Sequence, residues 1–482
     1  MGEGGVGPAR PRLGVLLVTS GWFRDVGLQD AGSDTTKEVE LAGAEIVGKL
    51  AAFSDPVYDG VLFSTEDADK AARRILAAGV DGVLLVPLMW CEDAIPRAAL
   101  ALLRGLPLVL WTYSPGPALP DFVPFQVMLQ GSGAVCTMQL SGMLRREGTP
   151  YWSVAGHSQD AEVMDEIRSL ARAMAVRRIL GGARVGMLPF PCEHMSGTWV
   201  DELSLRARYG VEVRHLELER LKRMALECAE GELRAFRGAI DRSGARVEVD
   251  EASLEQGIRY AVAMERLVRE ERLSALAMND VIPEMHASFG LRPCLSNPAL
   301  SATGAVVSME ADVGAATAML ALRLFTGDSP FYTEPFSADH DSNVLLMGHA
   351  GYHDTVNADP AGRVQIIRDV EYENSDRFTG AATFFKYKPG PVTAVNSIWD
   401  GEGLRWCCVE GDSLPGPARM DGNCHIVFRP TVPVREFYRR VVDRGVTQHW
   451  LFVPGRRSAE IEQLCGVLGV RFVSAATVFR GI

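Results

Sequence analysis

The sequence predicts an α/β protein with a β-rich C-terminal region, on three observations. Short aliphatic runs, among them Leu13 to Val18, Val83 to Pro87 and Leu106 to Leu110, alternate with amphipathic stretches such as Lys37 to Phe53, which is the strand–helix alternation of a parallel sheet. A second set of the same texture begins at Ala183-Arg-Val-Gly-Met-Leu188 and continues through a helical Trp199 to Tyr209, Val211 to Val213 and a long charged helix over Leu254 to Glu271. Beyond about Gly351 the segments between Val364 and Val427 read as strands with no helices between them, the pattern of an antiparallel barrel or sandwich. The expected architecture is two Rossmann-like α/β domains, residues 1–180 and 181–350, followed by a C-terminal antiparallel β-barrel-like domain, residues 351–482. A helix over Arg457 to Leu468 and a strand over Val470 to Ser474 close the chain.

Length and composition bound the function. The 482 residues, 47% hydrophobic and 23% charged, suit about two to four globular domains and exclude disorder, collagen and coiled coil. Lys plus Arg number 49 against 61 for Asp plus Glu, a net charge of −12. Such a chain lacks the positive field that holds phosphate backbones, so nucleic acid is not an expected partner. None of the nine cysteines forms a CxxC pair, and they read as reduced thiols of a cytoplasmic protein. The opening MGEGGVGPARPR has no apolar core and is not expected to act as a secretory signal. The uncharged run Phe122 to Leu144 contains Gln126, Gln130, Ser132 and Gln139, a composition for a buried or interface helix and not for lipid, so no membrane contact is expected.

Several motifs lack their context. Gly2, Gly4 and Gly7 satisfy GxGxxG, but no strand precedes them and Pro8 follows, so they read as a leader and not as a dinucleotide site. Gly131-Ser132-Gly133 could open a helix and cradle an anion, although a tight turn is the simpler reading. Walker A, HExxH and GxSxG are absent.

The stretch from Thr303 to His353 carries the chemistry. Gly304-Ala-Val-Val-Ser-Met309 is a buried-strand pattern, and Glu310-Ala-Asp312 follows where a helix over Val313 to Leu324 should begin. In parallel α/β sheets ligands bind at such strand-to-helix corners. Glu334 comes just after the short Phe331-Tyr-Thr, and His349 follows an aliphatic run, Asn343 to Met347. Two carboxylates and a histidine, each expected at a strand end, could converge on a divalent ion such as Mn2+ or Mg2+. From spacing alone an equal reading is that Glu310 caps its helix and Glu334 is a solvated loop acid.

The segment from Gly304 through Leu320, together with Phe331-Tyr-Thr-Glu334 and Gly348-His349, resembles the L-fucose and L-arabinose isomerases. The resemblance implies that Glu310 and Glu334 bind Mn2+ or another divalent cation and carry protons. It places further ligands at His349, after the adjacent Gly348, and at His449, which opens His449-Trp-Leu-Phe-Val-Pro-Gly before the last helix and strand. Gly156-His-Ser-Gln-Asp160 is similar to the arabinose isomerases' GHWQD, with Ser for Trp. Trp90, beside Cys91 at a strand end, corresponds to a tryptophan that in the fucose isomerases packs on the sugar of a neighbouring subunit; a plain core aromatic is the alternative. Asn279 stands with Trp90 as a candidate sugar contact, at a place where the arabinose isomerases have an aromatic-rich stretch. The histidine that they carry near Gln130 is replaced here by Gly133. His425, His353, His157 and His194 are not expected as ligands.

What the resemblance implies is an aldose–ketose isomerase acting on an open-chain pentose or deoxyhexose, L-fucose-like or L-arabinose-like, through an enediol. It also implies a homo-oligomer, trimer or hexamer, in which neighbours complete each site. A non-catalytic sugar-binding or regulatory protein of the same fold, or an epimerase or aldolase using the same metal site, remains the alternative.

Overall fold

A computed structural model describes residues 9–25, 35–119, 121–372 and 380–476. Gly2, Gly4 and Gly7 lie outside the described residues. The chain divides into two compact units, Ala9–Arg178 and Ile179–Ile482.

The first unit is built on a parallel sheet. Its strands run in the order Asp55–Val57, Arg12–Val18, Gly82–Pro87, Leu108–Tyr113, Trp152–Gly156, with Val61–Leu62 also paired to Arg12–Val18. Every residue of Gly82–Pro87 is buried, as expected for a parallel strand covered on both faces. The helices Thr35–Leu50, Thr65–Ala78, Ala94–Leu102 and Gly133–Arg146 supply that cover. Ser64 starts the second of these by accepting the Asp67 N–H at 3.1 Å, a side-chain N-cap. The run from Phe122 to Leu144 resolves into Phe125–Gln130 and Gly133–Arg146, joined by a turn in which the Ser132 hydroxyl accepts the Trp90 N–H at 2.9 Å. Among the described residues no helix is long and apolar enough to cross a membrane.

The second unit holds a four-stranded parallel sheet, ordered Val306–Met309, Ala275–Met278, Arg184–Leu188, Glu212–His215. A larger sheet follows the path Gly390–Trp399, Trp450–Pro454, Phe331–Asp339, Val344–His349, Cys424–Pro430, Leu404–Ser413, Arg471–Ser474. Because Gly390–Trp399 also pairs with Leu404–Ser413 along its whole length, the pairing of the first six strands closes on itself, all antiparallel. The ring takes strands from both sides of residue 350. Its core packs Phe331, Phe385, Phe428, Phe437, Trp450 and Phe452. A small third sheet joins Ala382–Phe384, Gln365–Ile367 and Arg246–Val247.

Two details differ from the expectation. Glu334 does not end a short strand, because the strand continues to Asp339 through an irregularity between Pro335 and Ser337. A helix, Val434–Asp443, also interrupts the β-rich region. It buries Val434, Phe437 and Val441, three and four residues apart on one face.

Candidate metal centre

Glu310 sits at the corner that the sequence marks. The strand Val306–Met309 ends against Ala275–Met278, and the chain then turns sharply, with Glu310 at φ 58° and Ala311 at φ 52°. Two consecutive non-glycine residues in the left-handed region are strained, and such strain clusters at functional sites. Glu310 does not cap the following helix. Asp312 does so, its Oδ1 accepting the Ala315 N–H at 2.7 Å, which leaves the buried Glu310 carboxylate to face inward.

Two strands of the ring bring the imidazoles to it. His349 is the last residue of Val344–His349, and His449 immediately precedes Trp450–Pro454. The strand between them, Phe331–Asp339, supplies Tyr332, whose ring centre lies 4.9 Å from that of His349 and 4.8 Å from that of His449. Gly348 lets Val344–His349 lie close against Cys424–Pro430 on its other side, since a Cβ there would fall 2.6 Å from the Cys424 carbonyl oxygen.

The ring nitrogens divide cleanly into held and aimed. His349 Nδ1 donates to the Ala350 carbonyl; its Nε2 is buried without a hydrogen-bond partner among the described residues, 3.7 Å from Glu310 Oε1. His449 Nδ1 lies 2.7 Å from Asp312 Oδ2, and Nε2 lies 2.7 Å from Glu310 Oε2. Glu310, His349 and His449 are thus a buried cluster whose ligand atoms all lie within 4.8 Å of one another and which could hold a metal ion. His349, fixed at Nδ1 by a carbonyl and free at Nε2, has the arrangement of a metal-binding histidine, and its orphaned Nε2 fits a missing partner, while His449 Nε2 is hydrogen-bonded to Glu310.

The electrostatics separate the two carboxylates. Burial pushes the Glu310 carboxyl up, but the His449 bond and the charges of His349, His449 and Arg292 outweigh it and hold the group below its usual range. For Glu334 burial prevails over His349 and His449, and the carboxyl moves up, with the Glu310 charge adding to the rise. Burial opposes a charge on His449, yet the bonds to Asp312 and Glu310 raise its pKa to about 9 without metal. His349 moves down, chiefly through burial.

Of the other residues singled out, Glu334 is outside the three-residue cluster; it is half-buried and pairs with Gly348, next to His349. Asn279 is fully buried at the end of Ala275–Met278, its side chain donating to the Phe190 carbonyl at 3.0 Å. Trp90 belongs to the first unit, half-buried, with its indole N–H on Gln139 Oε1 at 3.0 Å. His425 has both nitrogens engaged, by the Asn423 carbonyl and the Arg419 N–H, each at 3.0 Å. His353 stands behind His349, its Nε2 on the His349 carbonyl at 2.9 Å. Sequence reasoning did not single out Asp312 or Tyr332 as site residues. The Asp312 signal was present, since an aspartate at the residue before a helix is a capping position.

No family model matches the chain. It is similar to a sulfoquinovose isomerase from Alkalicoccus urumqiensis, 22% identical over 411 residues, which covers 84% of this chain and 88% of that protein. The relationship supports a sugar-isomerase enzyme, and the likeness to L-fucose and L-arabinose isomerases rests on the motifs quoted from the sequence.

Proposed function

We propose that the chain is a divalent-metal-dependent aldose–ketose isomerase. The carrying observation is the convergence of Glu310, His349 and His449, with the outer nitrogens held by Ala350 and Asp312 and the inner ones turned toward one carboxylate. The distant similarity to a sulfoquinovose isomerase supports the reaction class. Glu310, His349 and His449 would hold Mn2+, an ion suited to mixed oxygen and imidazole ligands, with Glu334 as a fourth ligand from the neighbouring strand. A divalent ion bound there supplies Lewis-acid stabilisation for negative charge on the sugar oxygens.

The chain's own residues supply the proton chemistry. Isomerisation moves one proton between C2 and C1 and another between O1 and O2. Glu334, with its carboxyl displaced upward, suits a group that takes and returns a proton, while Glu310 stays ionised. The paired carboxylates with opposite displacements favour catalysis over mere sugar binding. We propose Asn279 as a sugar contact, and Trp90 as one supplied to a neighbouring copy in a trimeric or hexameric assembly. Candidate substrates are L-fucose, L-arabinose and sulfoquinovose.

The test is a metal-supplemented screen of those three sugars, read by NMR. Activity should disappear with EDTA and return best with Mn2+. Full turnover in exhaustively chelated protein, with no metal found by elemental analysis, overturns the reading.

A further inference from the structure

Behind Glu310 lies a charge network that the metal-binding cluster does not itself contain. Arg292 is 3% exposed, and its Nε and Nη2 bond both oxygens of Asp369 at 2.8 and 2.6 Å. Its Nη1 donates to Glu371 Oε2 at 2.7 Å and to Asp280 Oδ2 at 3.3 Å. A guanidinium held by a two-pronged bond keeps its plane and its charge, so it is a fixed point inside the protein. Asp280, 1% exposed, passes that constraint on, because its other oxygen accepts the Glu310 backbone N–H at 2.9 Å.

The N–H in question begins the strained turn. Glu310 and Ala311 both have positive φ, a conformation that persists for residues with side chains only where the surroundings enforce it. The Ala311 and Asp312 N–H groups of this turn bond the Met278 and Met309 carbonyls, at 3.0 and 3.1 Å. Asp280 adds a side-chain acceptor at the turn's first residue, the one that carries the carboxylate.

We propose that Asp280, fixed by Arg292, is a positioning residue: it holds the Glu310 backbone in the turn that directs its carboxylate at His349 and His449, and so sets the geometry of metal coordination. The inference rests on the metal reading of that cluster. Asp369 and Glu371 serve it indirectly, by holding Arg292 in place.

The test is titration of the full chain with MnCl2, read by electron paramagnetic resonance for both affinity and the line shape of the bound ion. The line shape reports coordination in the molecules that bind, so it does not follow a simple loss of folded protein. Asp280→Ala should weaken Mn2+ binding about 10–100-fold, the range for removing a partner behind a ligand, and should alter the line shape. Asp280→Asn keeps an oxygen for the Glu310 N–H and should recover part of the affinity. Arg292→Lys keeps the charge without the fork and should alter the line shape with a smaller loss of affinity. If Asp280→Ala does not fold, the other two variants decide. Wild-type affinity and line shape in Asp280→Asn and Arg292→Lys overturn this inference alone, whereas a wild-type chain that takes up no Mn2+ overturns the metal reading and this inference with it.

Discussion

Nδ1 of His449 lies 2.7 Å from Oδ2 of Asp312. The other oxygen of the same carboxylate caps the helix Val313–Thr326. The orientation of the imidazole is therefore tied to the start of that helix, and Nε2 is left to face Glu310.

The two carboxylates should fail differently. In Glu310→Gln the carboxamide cannot supply the ligand charge, so both bound Mn2+ and turnover should be lost. In Glu334→Gln the carboxamide still offers an oxygen to the ion but cannot carry a proton, so Mn2+ affinity should fall less than in Glu310→Gln, while turnover falls about 10²–10⁴-fold, the usual worth of a positioned proton carrier. Elemental analysis beside an isomerisation assay reads both, and near-native turnover in either variant refutes its assignment.

His449, and not His425, should be the C-terminal ligand. Both His425 nitrogens are engaged by backbone groups, whereas His449 Nε2 faces Glu310. His449→Ala should lower Mn2+ affinity by at least about 10–100-fold, the loss already typical of an outer partner. His425→Ala should keep its metal. The reverse pattern of metal content would falsify the placement of the ligand set.

Metal binding should strengthen with pH. Without metal, His449 has a pKa raised from 6.5 to about 9, so below about 9 an incoming ion must displace its proton. One displaced proton means about a tenfold gain in Mn2+ affinity per pH unit between pH 6.5 and 8. The sign is opposite for the metal-free fold: a pKa raised on folding stabilises it below 6.5, and that contribution is lost as pH rises through about 9. Calorimetric titration across that range gives the slope, and a flat affinity contradicts it.

Phe437→Ala should destabilise the second unit without touching the cluster. Phe437 is 1% exposed, and its ring centre lies 5.1 Å from that of Trp450, the residue after His449. Emptying such a site costs about 3–5 kcal/mol, read by denaturant unfolding. A loss under about 1 kcal/mol would show that the helix Val434–Asp443 does not anchor the ring.

The sequence carried what local pattern can carry. Glu310 was legible because a short aliphatic run, a break and an amphipathic helix follow in order, and the turn between them needs no distant information. Glu334 reads as a strand end because Glu-Pro interrupts the aliphatic pattern, although the strand resumes beyond the irregularity at Pro335. The helix Val434–Asp443 was hidden by Pro433 and by its arginines, yet Val434, Phe437 and Val441 already had helical spacing. Arg292, Asp280 and Asp369 could not be joined by any pattern, because Arg292 and Asp369 stand 77 residues apart and meet only in the fold. His425 and His449 could be ranked from the elements after them, but the partners of their ring nitrogens, Arg419 and Asn423 for one and Asp312 and Glu310 for the other, are set only by the fold.

The ring of strands also bears on when the cluster comes into being. Glu310 and His449 meet across 139 residues, and between them the chain must pair strands from both sides of residue 350. Long loops of this kind close slowly, and their contacts form late. A metal ion offered to the refolding chain therefore captures a finished site and does not nucleate it: it should slow unfolding while leaving the refolding rate unchanged.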